Sequence, residues 1–488
     1  MRIGRQLKGL LQGSTYGKAV TKNITSNLAD GPIANIWVYT QAVCFAVLYA
    51  IWILPNTILV RNACLILGAV IGVYQIYYFR KQIKLPQALP IILLLALFGW
   101  MTLHLIFFSN NFAMQYEEYT SVWKRSFLAL LFAFGFGLAI LKSSPKVRQQ
   151  TWIIFYLGLV MPTLIYLLKC ALVWLGQAYA IEIAPYWGLY APSTPPSPYY
   201  VAKTAYMGFC APVLAIALGQ IYFRFRDGVW LSMGNLFYMT TVAAIFFLFY
   251  KENIKNGMVY GFLFILIFIA LIFIKNIKVS PLKSIVLVLV VILISGFFIF
   301  KNIQENPSWR TLFSDAKIAV QTTHFPNWQC GSVMGYPNND LGQVVSVTNY
   351  ERISWGVQAA KLVAQYPLGY GLIERSFRQR GNQLWPGSCL SQSHSGWLDL
   401  ALGIGIPGIL LIFGSLFSGL TRLQSALANP DKPPQVWLIM SFCVLFSFLL
   451  IWCTTEISQR VFFEELIFYL AFSSGVVIKF QQCPINKD

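Results

Sequence analysis

Twelve apolar stretches, most of them about as long as a bilayer crossing requires, decide what this chain can fold into. They run over 34–53, 57–78, 88–108, 123–141, 152–176, 203–222, 229–250, 257–274, 284–300, 396–419, 436–453 and 461–478. A helix of about 20 apolar residues spans the hydrocarbon core of a membrane. The runs are continuous rather than alternating, which excludes a β-barrel. With 57% hydrophobic and 11% charged residues in 488 and a mean hydropathy of +0.61, no large soluble core is left to build. The expected fold class is an all-α polytopic membrane protein of about 12 transmembrane helices, with a large helical loop between helices 9 and 10.

The formal charge of +19 is distributed as a topology signal rather than as a nucleic-acid surface. Alternate connections collect Arg2, Arg5, Lys8, Lys18 and Lys22; Arg80, Lys81 and Lys84; Lys142, Lys146 and Arg148; and Arg224 and Arg226. Lys275, Lys278 and Lys283, then Arg422 and Lys432, then Lys479 and Lys487 continue on the same side. Short cytoplasmic loops carry the excess of Lys and Arg, so both termini are expected in the cytoplasm, with this charge facing anionic headgroups. The first thirty residues lack the compact apolar run and small-residue site of a cleaved signal, so the first span reads as a retained anchor. The resulting organisation is a cytoplasmic segment 1–33, helices 1–9 over 34–300, an outer loop 301–395, and helices 10–12 with a cytoplasmic tail over 396–488.

Cysteine placement follows the same sides. Cys44, Cys64, Cys170, Cys210, Cys443 and Cys453 lie in or beside spans and read as packing residues, while Cys483 is cytoplasmic. Cys330 and Cys389 share the large outer loop, where they are expected to form a disulfide. No Cys-x-x-Cys or Cys/His cluster points to a metal.

Two outer connections exceed a simple turn: the Pro- and Tyr-rich 177–202 and the loop 301–395, which is too long for a passive connector. Within the latter, 306–322 reads as a helix. Residues 350–367 read as an amphipathic helix with Ile353, Val357, Ala360 and Ala364 on one face, stopped by Pro367. Arg375, Arg378 and Arg380 form a basic cluster after it. Neither an internal repeat nor an inverted pair of broken spans, as transporters show, is present.

Three histidines occur, and they read differently. His104 reads as a buried packing residue and His324 as a surface one. His394 stands directly before the span 396–419, where a helix dipole favours the neutral imidazole, the form a general base must have. The plainer reading of His394 is a boundary histidine bonded to its own loop. Arg352, in "TNYERISWG", is either half of a surface ion pair with Glu351 or a bidentate phosphate ligand. Lys251 and Lys255, in "YKENIKNG", break the charge rule by lying outside: they either reach for headgroups or face a lipid-linked phosphate. Lys169 and Lys203 raise the same question, because charge at membrane depth is costly.

The run from His394 through Trp397 and Leu398 to Gly405 and Gly408 resembles the His-Asn-x-aromatic-Leu…Gly-x-x-Gly signature of the O-antigen ligase and O-antigen polymerase superfamily. Upstream, "ERISWG" with Arg352, followed by "YPLGYG" at 366–371, resembles that family's Arg…Pro-Leu-x-Gly-x-Gly element. By motif the resemblance covers 250–418, and by architecture the whole chain. It implies a metal-free, cofactor-free glycosyltransferase of lipopolysaccharide biosynthesis in the bacterial inner membrane. Such an enzyme moves O-antigen glycan from undecaprenyl pyrophosphate to a hydroxyl of lipid A–core on the periplasmic face, inverting the anomeric centre. The resemblance gives His394 the acceptor hydroxyl, and Arg352 with Lys255 and Lys251 the donor pyrophosphate. Arg375, Arg378 and Arg380 would then meet acceptor phosphates.

Departures from the family pattern are Lys255-Asn256-Gly257 in place of Ser-Arg-Gly, Ser395 in place of Asn, and Gly403 in place of a frequent Glu. A polymerase extending lipid-linked glycan, a protein-glycosylating relative and, from another class, a transporter or flippase remain as alternatives. The large outer loop and the lack of repeat symmetry weigh against the transporter.

Overall fold

Lipid offers backbone amides no partner, which favours helices, and the apolar runs are largely helical in the computed structural model wherever it describes them. It describes residues 35–83, 85–184, 187–188, 201–230, 232–276, 307–428, 435–456 and 460–478, with isolated helical positions between 285 and 304. Most of the expected span 284–300 and both chain ends lie outside the described residues. The bundle comprises α1 (Asn35–Ile51), α2 (Ile58–Phe79), α3 (Leu89–Phe107), α4 (Phe112–Lys142), α5 (Pro145–Tyr179), α6 (Lys203–Arg226), α7 (Met233–Lys251) and α8 (Lys255–Asn276). The loop region contributes α9 (Leu312–Ala319), α10 (Val347–Gln365) and α11 (Ser376–Leu384); α12 (Gly396–Leu427), α13 (Gln435–Ile451) and α14 (Arg460–Val476) complete the bundle. An isolated β bridge joins Asn338 and Val344.

Eight described helices, α2 to α8 and α12, are long and apolar enough to cross a membrane, against the dozen expected. The helices α1 and α13 are apolar but only 17 residues long. The helix α14 is equally short and buries Glu464 and Glu465. Glu464 pairs with Arg125 of α4 at 2.7 Å and accepts from the Trp52 indole at 3.2 Å, the pairing that a charge inside a bundle requires. The helix α4 packs between α2 and α14. A Cβ on Gly135 would lie 2.5 Å from the Gly72 carbonyl oxygen, so small residues set this helix spacing.

The apolar run beginning at 396 is continuous in hydropathy but not in structure. Gly405, at φ +71° and ψ 176°, breaks α12, and Pro407 follows, where a helix tolerates proline in its first turn. A break inside a bundle frees backbone groups that have no water to turn to. Each finds a partner. Leu402 accepts from the Tyr370 amide and Gly403 from the Gly371 amide, both at 2.7 Å. The Ile406 amide donates to Pro367 at 2.7 Å, and the Trp100 indole donates to the Ile404 carbonyl at 2.7 Å. The stretch 366–371 is therefore bound edge-on to the break, and Gly369 (φ +86°) has no room for a side chain there.

The loop region has its own small core, in which Trp328, Tyr350, Trp355, Leu362 and Phe377 meet Leu402 of α12. Cys330 and Cys389 are joined by a disulfide. The helix expected over 306–322 is shorter, a 3₁₀ turn Pro307–Trp309 followed by α9. The buried face of α10 is not the expected stripe: Ile353 and Val357 are half-buried, and Ala360 and Ala364 are exposed. Tyr350, Trp355, Ala359 and Leu362 face inward instead, because the large aromatic rings bury more surface than alanine does.

Gly405→Ala puts a Cβ against the Leu368 carbonyl at a left-handed φ. The expected cost is at least about 2 kcal/mol, read as a lowered unfolding temperature of the purified protein. An unchanged midpoint would contradict the tight docking of 366–371 on the break.

Candidate functional site

Docking at the break holds α10 and the start of α12 together, and this brings Arg352 and His394 to one cavity. Its volume is about 310 Å³, with Asn349, Arg352, His394, Ser395 and Thr454 in its lining. His394 has φ +60°, a conformation that a non-glycine residue holds only where its surroundings enforce it. The enforcing contacts lie on either side of it. The Ser393 amide donates to Asp399 at 2.9 Å, the Ser393 hydroxyl to the Ser395 carbonyl at 3.1 Å, and the Gly396 amide to the Thr455 carbonyl at 2.9 Å. Ser395 caps α12 through the Leu398 amide.

The imidazole is fixed on two sides. Its Nδ1 lies 3.1 Å from a carboxylate oxygen of Glu456. A carboxylate can only accept, so Nδ1 carries the proton, and in the neutral ring Nε2 is left as the acceptor. The Trp355 ring lies parallel to it at 5.3 Å between centroids, itself held by its indole hydrogen bond to the Trp328 carbonyl. Burial pushes the Glu456 carboxyl up, but the His394 hydrogen bond and the charges of His394 and Arg352 together hold it below its ordinary value.

The cationic side of the cavity is built around Asn256. Arg352 donates to the Asn256 side-chain oxygen at 3.2 Å, and the Asn256 amide donates to the Thr454 carbonyl at 2.9 Å. Lys255 reaches the Ser308 hydroxyl at 3.3 Å, and Asn349 donates to the Ser308 carbonyl at 2.7 Å. The start of α8, the start of α10 and the connection after α13 thus converge on one point. Asp315, isolated in sequence, is fully buried beneath this wall. It accepts from Thr311 at 2.7 Å, from Asn339 and Asn349 at 2.9 Å each, and from the Ser346 amide at the head of α10 at 3.2 Å.

Arg352 and His394, singled out from the sequence, line this cavity together, and Lys255 stands behind its wall through Ser308 and Asn349, whereas the other candidates are not brought there. Lys251 is exposed at the end of α7 and is not part of the cavity lining. Arg375 and Arg378 are exposed, but Arg380 is buried, its guanidinium 3.8 Å from the Tyr366 ring centroid and 5.0 Å from that of Tyr370. The three arginines do not form one patch. His104 is buried beside Gln115 at 3.0 Å, and His324 is exposed. Lys169 is buried in α5 and Lys203 half-buried at the head of α6. The sequence reading does not single out Glu456 and Trp355, and Asn256 enters it only as part of a departure from the family pattern. Glu456 carried a usable signal, an acid just past an apolar span on the side where His394 also emerges.

The arrangement can take a proton at Nε2 of His394 and hold an anion at Arg352. A group whose folded value is depressed stabilises the fold fully above its unfolded value and loses that contribution as pH falls through the folded value. The Glu456–His394 pair should therefore weaken on acidification below about 4.3. Thermal unfolding across that range should show a steeper decline for the native protein than for Glu456→Gln. Parallel declines would mean that Glu456 is not ionised in the pair.

Residues 239–413 match the protein family described as O-antigen ligase. No curated protein matches the chain, and no solved structure does.

Proposed function

From the place of residues 239–413 in the O-antigen ligase superfamily, we propose that this membrane protein transfers O-antigen glycan from undecaprenyl pyrophosphate to a hydroxyl of lipid A–core. The observation that carries the reading is one cavity lined by both a carboxylate-held His394 and Arg352, with Lys255 behind its wall. In this reading the site faces the periplasm, the loop 301–395 lies on that side, and both termini of the inner-membrane protein are cytoplasmic. The alternating placement of Lys and Arg supports that orientation.

The chemistry follows from the arrangement. The acceptor hydroxyl gives its proton to Nε2 of His394 as its oxygen attacks the anomeric carbon. The bond from that carbon to the pyrophosphate oxygen breaks, and undecaprenyl pyrophosphate departs with the bonding pair. The guanidinium of Arg352 can meet two phosphate oxygens as a fork, while Lys255 supplies a point charge. Both act on charge that grows as the bond breaks, where fixed charges help most. Glu456 keeps the imidazole in the tautomer that presents Nε2 and then pairs with the imidazolium. A single displacement inverts the anomeric centre.

The purified protein, given undecaprenyl-pyrophosphate glycan and lipid A–core with chelator present, should produce glycan-bearing lipid A–core. His394→Ala and Arg352→Ala should each lower the rate by about 10²-fold or more, and Glu456→Gln by less. Longer lipid-linked glycan in place of that product would identify a polymerase. Absence of both products from folded protein would overturn the transferase reading.

A further inference from the structure

A second cavity, of about 430 Å³, opens between α3 and α4, both long and apolar enough to cross a membrane. Its wall is aromatic. Phe98 of α3 stands edge-on to Trp123 and Phe127 of α4, with centroids 5.4 and 5.3 Å apart. Gly99 keeps the mouth open, since a Cβ there would meet nothing within 4 Å. Tyr119 enters through a π-turn, Tyr119–Trp123, inside α4, an irregularity found most often at functional positions. Its hydroxyl is bonded to that of Thr102 at 2.7 Å, which closes one end of the cleft.

At the rim lies Lys124, exposed on a helix long and apolar enough to cross the membrane. An ammonium facing lipid is costly unless an anion meets it. Among the described residues no carboxylate pairs with Lys124, while its neighbour Arg125 is taken by Glu464. The cleft residues Phe98 and Thr102 lie about 14 and 8 Å from the end of α3 at Phe107, at roughly 1.5 Å per residue. That end is the one on which the loop region docks, with Gly371 packed against Gln115 and the Ile373 amide bonded to Glu118. The cleft therefore lies in the half of α3 nearer the end on which the loop region docks, the side of the His394 cavity.

The two cavities are also connected through the chain. On the π-turn, Ser121 accepts from Arg460 at 3.1 Å, and Arg460 pairs with Glu374 at 3.1 Å. Arg460 lies four residues after Glu456, the partner of His394.

We propose that this cleft binds the phosphorylated lipid acceptor, with one phosphate on Lys124 and an acyl chain along Phe98, Trp123 and Phe127. The assignment rests on the transferase reading above. Charge decides between the two lipids: a pyrophosphate calls for more than one cation, which Arg352 in the other cavity and Lys255 behind its wall supply, whereas Lys124 alone matches a single phosphate of lipid A. The acceptor would enter sideways from the outer leaflet and reach His394 with its sugar end.

The test uses the full chain in phosphatidylcholine nanodiscs, with binding of lipid A, dephosphorylated lipid A and undecaprenyl pyrophosphate read by native mass spectrometry. Lys124→Gln should weaken lipid A about ten-fold, the order expected for one charge-assisted contact, and leave dephosphorylated lipid A and undecaprenyl pyrophosphate unchanged. Gly99→Leu, which fills open space, should weaken both forms of lipid A. In transfer assays Lys124→Gln should raise the acceptor KM and preserve kcat. Unchanged lipid A binding in both variants would overturn the proposal, as would an equal loss for undecaprenyl pyrophosphate, which would make the cleft the donor's. Selective lipid A binding by a protein that transfers nothing would uphold the cleft and overturn only the transferase reading.

Discussion

A broken helix surrounded by lipid and protein must hand every freed backbone group to a partner, and the break at Gly405 determines how the site is assembled. The Ile406 amide can no longer serve Leu402, and Pro407 has no amide to offer Gly403. Tyr370 and Gly371 donate to those carbonyls, and Pro367 accepts from Ile406. The segment that supplies these partners is the direct continuation of α10, which carries Arg352, and the helix that needs them begins two residues after His394. Satisfying the backbone therefore fixes the distance between the two candidate functional side chains. The glycines at 369 and 405 serve this contact: each takes a left-handed φ where another backbone lies too close for a side chain.

Electrostatics then organises the cavity. Glu456 holds the His394 ring, while Arg352 lies in the same lining with Asn256 bridging it to the Thr454 backbone and Lys255 behind the wall. The charges of His394 and Arg352 hold the buried Glu456 carboxyl down, so the acid stays ionised next to the imidazole and makes the proton position on the ring unambiguous. Arg352, with Lys255 nearby, offers a place for an anion rather than a fold-stabilising pair, because neither is matched to a carboxylate at salt-bridge distance among the described residues. In the proposed transfer a leaving pyrophosphate would meet these cations, and the acceptor hydroxyl would approach Nε2.

Much of the fold was legible because hydropathy alone forces helices. The run 203–222, for example, is α6, and 257–274 lies within α8. What hydropathy could not show is where a run is broken: "GIGIPG" is apolar throughout, and only the pairing with 366–371 makes Gly405 a break instead of a flexible point. The stripe of α10 was misread because Ile353 and Val357 satisfy helical spacing, yet the core is built on Trp355 and Leu362. The arginines at 375–380 share a sequence neighbourhood but not a surface, since Arg380 turns inward onto two tyrosines. Of the site, His394, Arg352 and Lys255 were readable from boundary position and charge. Glu456 is 62 residues from His394, and partnerships across that separation are made by the fold.

The central claim is a direct displacement, with His394 removing the acceptor proton while Arg352 and Lys255 receive the departing pyrophosphate. Such a displacement has one stereochemical outcome. The most direct measurement is the anomeric configuration of the newly formed linkage, determined by nuclear magnetic resonance on product made from a donor of defined configuration. The account predicts inversion. Retention would require a covalent glycosyl intermediate on a protein nucleophile and would contradict the assignment of His394 as the base.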